Sequence, residues 1–595
     1  MDPGSDPARR DVIRPAHIVW RNGVPYSEDF QDIYHSADGA SEVQRVFMQP
    51  ADVAGRMARA HDFVIGEFGF GTGLNFAVAA HTALELSIRL HFISFEAQPL
   101  SRKDFGRITA ERRHELPLYD ELAAVQPPLF SGWHRRRLAD GQITLSLYLG
   151  DATEGLDDIS GRHPRGIDAW FLDGFAPDRN PALWEEATMK RIGPLSASGA
   201  TVSTFTAAGR VRRALTAAGF EMRRVDQRPH KRESLTGVMS VSTPSPPAAP
   251  GQVDIAGAGI AGAALARHLA EAGVPVTVWD PYPAPLTGGS GVGCTTQHGR
   301  LLGAASPQAM LRAHAYHYAT TSTASFPGVT ASGAMQLTGP NMSGAKMQRI
   351  ASTYESSGDW IERLDADAAS RLAAWPIDDD ALWFRGAAVV DLPVLCANLL
   401  DHPDIELRSC ELPCALRGIT VLANGSAART HSGASTLELA DVFGQLELVS
   451  MAERPRVPLV GRGYLVPLDE NVLAVGATYE YSEWDTSDSR RSNLDRLQGR
   501  PHTWRASMRG PRCVTSDRTP AVGRLPWEGH PLYVSTGHGS MGTTSAPFAG
   551  AVIASTITGH FEPLTRDALS LLDPQRFARR QARRGIRHGI SRRTH

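Results

Sequence analysis

Cysteine is scarce: five residues (Cys294, Cys396, Cys410, Cys414 and Cys513) in 595, with no C-x-x-C pair. That supply argues against a disulfide framework and a structural zinc site, and fits a reducing compartment. Long apolar runs are also lacking. The best, Ile255 to Ala266, is cut off by Arg267 and His268, short of the roughly 18 residues a membrane span needs. The N-terminus, MDPGSDPARRD, is too polar for a signal peptide. Charge of one sign is lacking too, with 61 basic against 63 acidic residues and a net charge of −2. Contact with an acidic polymer must therefore come from local patches. These absences predict a cytoplasmic protein without a membrane span or metal centre. With 42% hydrophobic and 21% charged residues, the chain is of ordinary globular composition.

At 595 residues the chain predicts three or four compact units, or two large ones. The clearest boundary is STPSPPAAPG, whose prolines can neither pack a core nor sustain a ladder. It predicts a domain over residues 1–241, a linker over 242–251 and a second half over 252–595. The first half alternates strand and helix: FVIGEFGFGTGLNFAVAAHTAL, LHFISFEA, ITLSLYLGDA and IDAWFLDGFAP. That order predicts an α/β fold with a doubly wound parallel sheet. The second half opens with VDIAGAGIAGAALARHLAEAGVPVTVWD, a complete strand–turn–helix–strand unit. Its middle predicts a mixed, antiparallel substrate part. The nucleotide-binding parts are expected at about 252–330 and 511–575, followed by a basic tail over 576–595.

Glu67, Gly69, Gly71 and Gly73 form E-x-G-x-G-x-G between a strand and a helix. Glycines let the chain turn sharply and a ligand approach closely, and the helix N–H groups can hold an anion. Glu96 ends the next strand, where a carboxylate can bind ribose hydroxyls. Asp151 follows the third, within reach of an adenine amino group. This pattern suits S-adenosylmethionine, with NAD as the competing ligand. Asp173 ends the fourth strand, where ligands of open sheets bind. A carboxylate there can take a proton or hydrogen bond from an amine being methylated, or simply cap a helix. Phe175 can stack on a base.

Gly257, Gly259 and Gly262 form a second loop, G-x-G-x-x-G, with Asp280 at the end of the following strand. Together they predict a bound dinucleotide, FAD or NAD. TGHGSMG, with Gly537, Gly539 and Gly542, lies between a late strand and a helix and favours FAD. Oxidation of an amine needs a hydride acceptor of that kind. If the amine carries a carboxylate, an arginine should face it. Arg462, Arg512 and Arg518 are the candidates, and the sequence does not choose among them. Three basic patches stand out: His134–Arg137 beside Trp133, Lys231 and Arg232, and the segment from Asp573 with eight arginines and one acid. They are solvated faces or phosphate contacts to RNA.

The combination resembles the bacterial bifunctional tRNA 5-methylaminomethyl-2-thiouridine biosynthesis family over nearly the whole chain. Trp20, Pro25, Ser27, Asp32 and Tyr34 carry the resemblance, with EFGFGTGLNF, SFEAQPL, FLDGFAPDRNPALW and KRESLTG. In the second half DIAGAGIAGAALA, GYLVP, VGATYE, DRTPAVG and TGHGSMGTTSAP carry it. It implies a Rossmann-like S-adenosylmethionine methyltransferase domain joined to a D-amino-acid-oxidase-like FAD domain with an inserted α+β substrate domain. It further implies oxidative removal of the carboxymethyl group of 5-carboxymethylaminomethyl-(2-thio)uridine at the tRNA wobble position. Methylation of the freed amine follows, with Asp173 in the methyltransferase site and the basic patches as tRNA contacts. The chain departs from the family at GGSGVGCTTQHGRLLG, with Cys294 and His298, at DQRPH, and at His35. None of these removes a cofactor residue.

Two other readings stand beside this one. One is a small-molecule N-methyltransferase fused to a sarcosine- or glycine-type oxidase. The other is an RNA-binding protein whose flavin half is inactive. A monomer is expected, since two domains can cover each other's apolar surface.

Overall fold

Residues 13–585 are described by a computed structural model, apart from 22, 36–38, 231, 242–249, 284–286, 305, 414–417 and 483. Most of the linker, and the tail beyond 585, lie outside the described residues. The chain divides into two compact units. The first takes the described residues of Met1–Ala248 with Ser356–Gly358 and Ser555–Arg566; the second takes those of Ala249–Glu355, Asp359–Ala554 and Asp567–His595.

The first unit is built on an eight-stranded sheet. Its strands Ile167–Leu172, Asp62–Phe68, Arg89–Glu96 and Ile143–Leu149 lie side by side in that order and run parallel. Helices on both faces leave Asp62–Phe68 and Arg89–Glu96 buried almost end to end, as parallel strands require. The pleat divides the core. Ile65, Phe92 and Phe171 pack on one face; their neighbours Val64, Ile93 and Trp170 pack on the other. Burial of side chains this size contributes about 1.5–3 kcal/mol each. Ser196–Thr204 extends the parallel set, while Gly132–Leu138, Glu233–Met239 and Phe220–Asp226 add antiparallel edges. Only four of these eight strands are predicted above. The chain runs from Asp62–Phe68 to one neighbour first and to the other much later, which creates the crevice where open sheets bind ligands.

The second unit carries a six-stranded sheet in the order Ile405–Arg408, Val276–Trp279, Val253–Ala256, Ile419–Leu422, Leu532–Thr536 and Ala521–Leu525. Only the last strand is antiparallel. A separate eight-stranded sheet includes Tyr464–Pro467, Val472–Gly476, Leu439–Ser450 and Thr503–Thr515 in that order, each antiparallel to its neighbour, and forms the expected mixed part.

The patch at His134–Arg137 requires correction. It lies on the strand Gly132–Leu138, and His134, Arg135 and Arg136 are buried. Arg135 donates to Ser146 Oγ (2.9 Å), Ser555 Oγ (2.5 Å) and Phe561 O (2.8 Å). Arg136 donates to Val125 O at 2.6 Å. These guanidiniums satisfy carbonyls and hydroxyls inside the unit and present no face to a phosphate. The described part of the C-terminal basic segment, the helix Gln575–Arg583, is likewise largely engaged. Phe577 is fully buried, and Arg576, Arg579 and Arg580 pair with Asp517, Asp573 and Glu438.

Arg135 stands beside three histidines of the first unit. His91 Nδ1 lies 3.2 Å from His560 Nδ1, and the His163 ring is 5.4 Å from that of His560. Burial holds all three below the usual histidine range, His560 down to about 3, with Arg135 and Arg165 adding repulsion. Imidazoles that take up protons near pH 6.5 only when unfolded give stability that is full above that pH and lost as pH falls toward the folded values. The calorimetric unfolding transition of the first unit should therefore weaken steadily below pH 6.5, by on the order of 1 kcal/mol per pH unit for each histidine. His560→Phe should flatten that dependence.

Candidate active sites

Four of the residues expected to hold a ligand in the first unit lie on adjacent strand ends. Gly69 follows Asp62–Phe68, Glu96 closes Arg89–Glu96, Asp151 follows Ile143–Leu149, and Asp173 follows Ile167–Leu172. All project at the carboxyl edge of the parallel strands, across the crevice. Gly69, Gly71 and Gly73 all have left-handed backbones. A Cβ on Gly69 would lie 2.8 Å from Gly174 Cα, so the loop and the Asp173 turn touch through backbone. Glu96 is half-buried and fixed by two backbone donors, Gly71 N at 2.9 Å and Gln98 N at 2.8 Å. Burial raises its pKa and these donors oppose the rise.

Asp151 and Asp173 differ in their local partners. Asp151 is a helix cap: it precedes Ala152–Ile159 and accepts from Thr153 N at 2.8 Å, with its side chain exposed. Asp173 precedes no helix directly. The next helical turn, Pro181–Trp184, has Asn180 at its start. Asp173 Oδ2 instead accepts from Asn75 Nδ2 at 2.8 Å, and the same amide donates to Glu67 Oε1 at 2.9 Å. Glu67 is fully buried and also accepts from Ser94 Oγ at 2.6 Å. Burial pushes its pKa well up, against the two hydrogen bonds. Glu67 is thus a support beneath the loop, and Asn75 joins it to Asp173. Asn75 stands within EFGFGTGLNF, where a single amide carries no pattern of its own.

Phe175 stacks on Phe30 (4.4 Å between ring centres) and meets Tyr34 edge-on at 5.3 Å. Its own chain is held by Ala176 N donating to Asp32 Oδ2 at 3.1 Å. Arg232 is exposed in the turn joining Phe220–Asp226 to Glu233–Met239. Register pairs Leu235 with Thr204 and Leu172 with Thr204, which puts that turn at the same sheet edge as Asp173, two strands away. Lys231 lies outside the described residues.

In the second unit Gly257, Gly259 and Asp280 border a cavity of about 1480 Å³, with Gly537, Gly539 and Gly542 in its lining too. Small-molecule sites span about 300–1,000 Å³, so this one has room for a dinucleotide and a substrate. Gly257 has φ +104°, and a Cβ there would sit 2.8 Å from Ala423 O. On Gly262 it would sit 1.9 Å from Gly257 O: that glycine lets the helix Ile260–Glu271 press on the turn. Asp280 receives Ala258 N and Tyr282 N, each at 2.8 Å. Gly537 precedes the helix Gly542–Ile557, whose first residues face the cavity. Backbone cradles at the strand ends, with an acid one strand over, fit FAD.

The divergent loop borders this cavity as well. Ser290 Oγ accepts from Ile260 N at 3.0 Å, and Cys294, His298 and Arg300 are in the lining. Burial and Arg300 hold His298 down to about 3, so it stays neutral. Of the three candidate arginines, Arg462 is set aside. It is exposed, paired with Asp379 and bonded to Thr338, and is not in the lining. Arg512 and Arg518 both line the cavity. Arg512 donates to Phe443 O (3.4 Å) and Thr478 O (3.1 Å), and burial pulls its pKa below the usual range. Arg300 and Arg312, also in the lining, were not singled out from sequence. No cluster of three or more histidine, cysteine or acidic side chains suited to a metal occurs among the described residues. No described helix is long and apolar enough to cross a membrane.

The two sites define a methyltransferase joined to an FAD-dependent oxidoreductase. A family of S-adenosyl-L-methionine-dependent methyltransferases matches residues 118–240, and the FAD dependent oxidoreductase family matches 252–403. Relatives named tRNA 5-methylaminomethyl-2-thiouridine biosynthesis bifunctional protein MnmC align along nearly the full length. The one from Marinobacter nauticus is 33% identical over 92% of this chain and 95% of its own. The one from Chromobacterium violaceum is 31% identical over 94% and 97%. The chain belongs to this bifunctional family. A glycine oxidase structure from Geobacillus kaustophilus covers 55% of the chain and 98% of its own, with 20% identity and a TM-score of 0.44.

Gly262→Val should drive a side chain into Gly257 O and abolish flavin binding. Purified variant protein should lack the visible flavin absorbance while still binding S-adenosylmethionine in titration calorimetry.

Proposed function

We infer that the chain converts a carboxymethylaminomethyl group on the wobble uridine of tRNA to methylaminomethyl, in two steps on two sites. The observation that carries this reading is the pairing on one chain of a carboxylate at a methyl-donor crevice with an arginine-lined dinucleotide cavity. Gly257, Gly259, Asp280 and the turn at Gly537 would hold FAD, which supplies a hydride acceptor for the C–H bond beside the substrate nitrogen. Arg512 is assigned to the substrate carboxylate. It lines the cavity, its bonds are to neutral carbonyl oxygens, and a guanidinium grips a carboxylate in bidentate fashion. Hydrolysis of the oxidised C–N bond then frees a primary amine.

Glu96 and the loop Gly69–Gly73 are assigned to S-adenosylmethionine. Asp173, braced by Asn75, accepts the hydrogen bond and then the proton of the amine as it takes the methyl group. Phe175 offers the amine's base a stacking face, and Arg232 stands at the same edge for a phosphate. The reading places the protein in the cytoplasm as a monomer.

The test is nucleoside mass analysis of tRNA bearing carboxymethylaminomethyluridine after incubation with the protein. Aminomethyluridine should form without S-adenosylmethionine, and methylaminomethyluridine with it. An unchanged nucleoside in both reactions overturns the oxidase assignment. Turnover of free amino acids alone would favour the small-molecule pair. Asp173→Asn should slow methylation roughly 10²–10⁴-fold, the usual contribution of a positioned acid–base group. Aminomethyluridine should then accumulate even with the methyl donor present.

A further inference from the structure

The rim of the second unit's cavity carries an aromatic pair that neither a dinucleotide nor a carboxylate requires. Tyr481 lines the cavity yet is 70% exposed. Tyr479, also in the lining, meets it edge-on with ring centres 5.4 Å apart. The residue between them fixes both. Glu480 pairs with Phe443 through two backbone hydrogen bonds of 2.9 and 3.0 Å. Its buried carboxylate receives Arg509 Nη2 at 2.6 Å, Ser489 Oγ at 2.7 Å and Thr478 Oγ1 at 2.5 Å. With Glu480 locked, the residues on either side of it, Tyr479 and Tyr481, both line the cavity.

Arg518 completes the rim. Its guanidinium carbon lies 5.6 and 5.7 Å from the two ring centres, and it donates to both phenol oxygens, at 3.1 Å to Tyr479 Oη. The turn beneath it is clamped, since Arg576 holds Asp517 through bonds of 2.9 and 3.1 Å. An exposed ring beside a cation bonded to neutral oxygens is a poor surface for a free amino acid. It suits an unstacked nucleotide, whose base needs a π-face and whose phosphate needs a positive charge.

We propose that Tyr481 and Arg518 form an entrance subsite for the nucleotide that carries the oxidised group, with Tyr481 stacking on the base and Arg518 meeting its phosphate. This rests on the tRNA reading above and adds the residues that select a nucleotide over a free amine.

The test is anaerobic flavin reduction by tRNA bearing carboxymethylaminomethyluridine, followed against tRNA concentration. Tyr481→Ala should raise the half-saturating concentration roughly 5- to 150-fold, the span of a lost base–aromatic stack. The rate at saturation should change far less, and Tyr481→Trp should restore the affinity. Arg518→Gln should weaken binding and reduce the slope of log affinity against log salt by about one. Flavin absorbance of each variant checks that its cavity is intact. Half-saturation in Tyr481→Ala within twofold of the parent overturns the subsite, as does a loss that tryptophan does not restore. A parent protein reduced by N-ethylglycine but not by tRNA overturns the tRNA reading itself, a result distinct from a parent that responds to tRNA and a variant that is indifferent.

Discussion

Both units depend on backbone meeting backbone where a side chain has no room. In the first, Gly69 closes on Gly174; in the second, Gly257 closes on Ala423, and Gly262 on Gly257. Each contact joins the end of one parallel strand to the end of its neighbour or to the helix that follows. Main-chain N–H groups are thereby turned toward a ligand, and the acids on flanking strands are brought within reach. Glu96, Asp173 and Asp280 occupy their places because the strands that carry them are register-locked to those glycine-bearing strands.

Polar groups beneath the ligand surfaces set how those acids behave. Glu67 and Asp173 share one donor, Asn75. An amide can give a hydrogen to each of two carboxyl groups, so it holds them at a fixed separation. Burial disfavours charge on Glu67, while Asp173 at the sheet edge is half-exposed. Environment thus separates two acids of similar intrinsic strength, one buried beneath the loop and one open at the sheet edge. Glu480 plays a comparable part in the second unit, buried between Tyr479 and Tyr481, which line the cavity.

The parts of the chain legible from sequence are those where one residue type has one physical reason to be there. The two glycine loops, their helices and the acids ending the next strands are of this kind, and each lies where the pattern places it. Edge strands were harder. Gly132–Leu138 reads as a basic run, and its burial depends on long-range carbonyl partners such as Phe561 that no local pattern reveals. The segment Ser555–Arg566 reads as the end of the second half, yet it packs in the first unit, because an apolar phenylalanine does not declare which core it fills. Asn75 and Ser290 escaped notice for another reason. A single amide or hydroxyl in a motif carries no periodicity, and its role appears only when its partners, distant in sequence, are brought to it. Among the arginines, sequence could not rank Arg462, Arg512 and Arg518. The difference between them is the acid beside Arg462, contributed by Asp379, 83 residues earlier in the chain.

Internal pairing also explains how a chain of net charge −2 can address RNA. Arg135, Arg136, Arg576, Arg579 and Arg580 are consumed by carbonyls, hydroxyls and acids of their own units. A polyelectrolyte mode, in which many phosphates displace many counterions, is therefore unsupported by these groups. The proposed contacts are instead sparse and aromatic: Phe175 with Arg232 at one sheet edge, and Tyr481 with Arg518 at the cavity rim. Stacking tolerates any base and depends little on salt, whereas a few phosphate contacts fix position. Recognition built this way selects a nucleotide that is already splayed from its neighbours, and leaves the choice among nucleotides to the chemistry of the group that reaches Arg512 or Asp173.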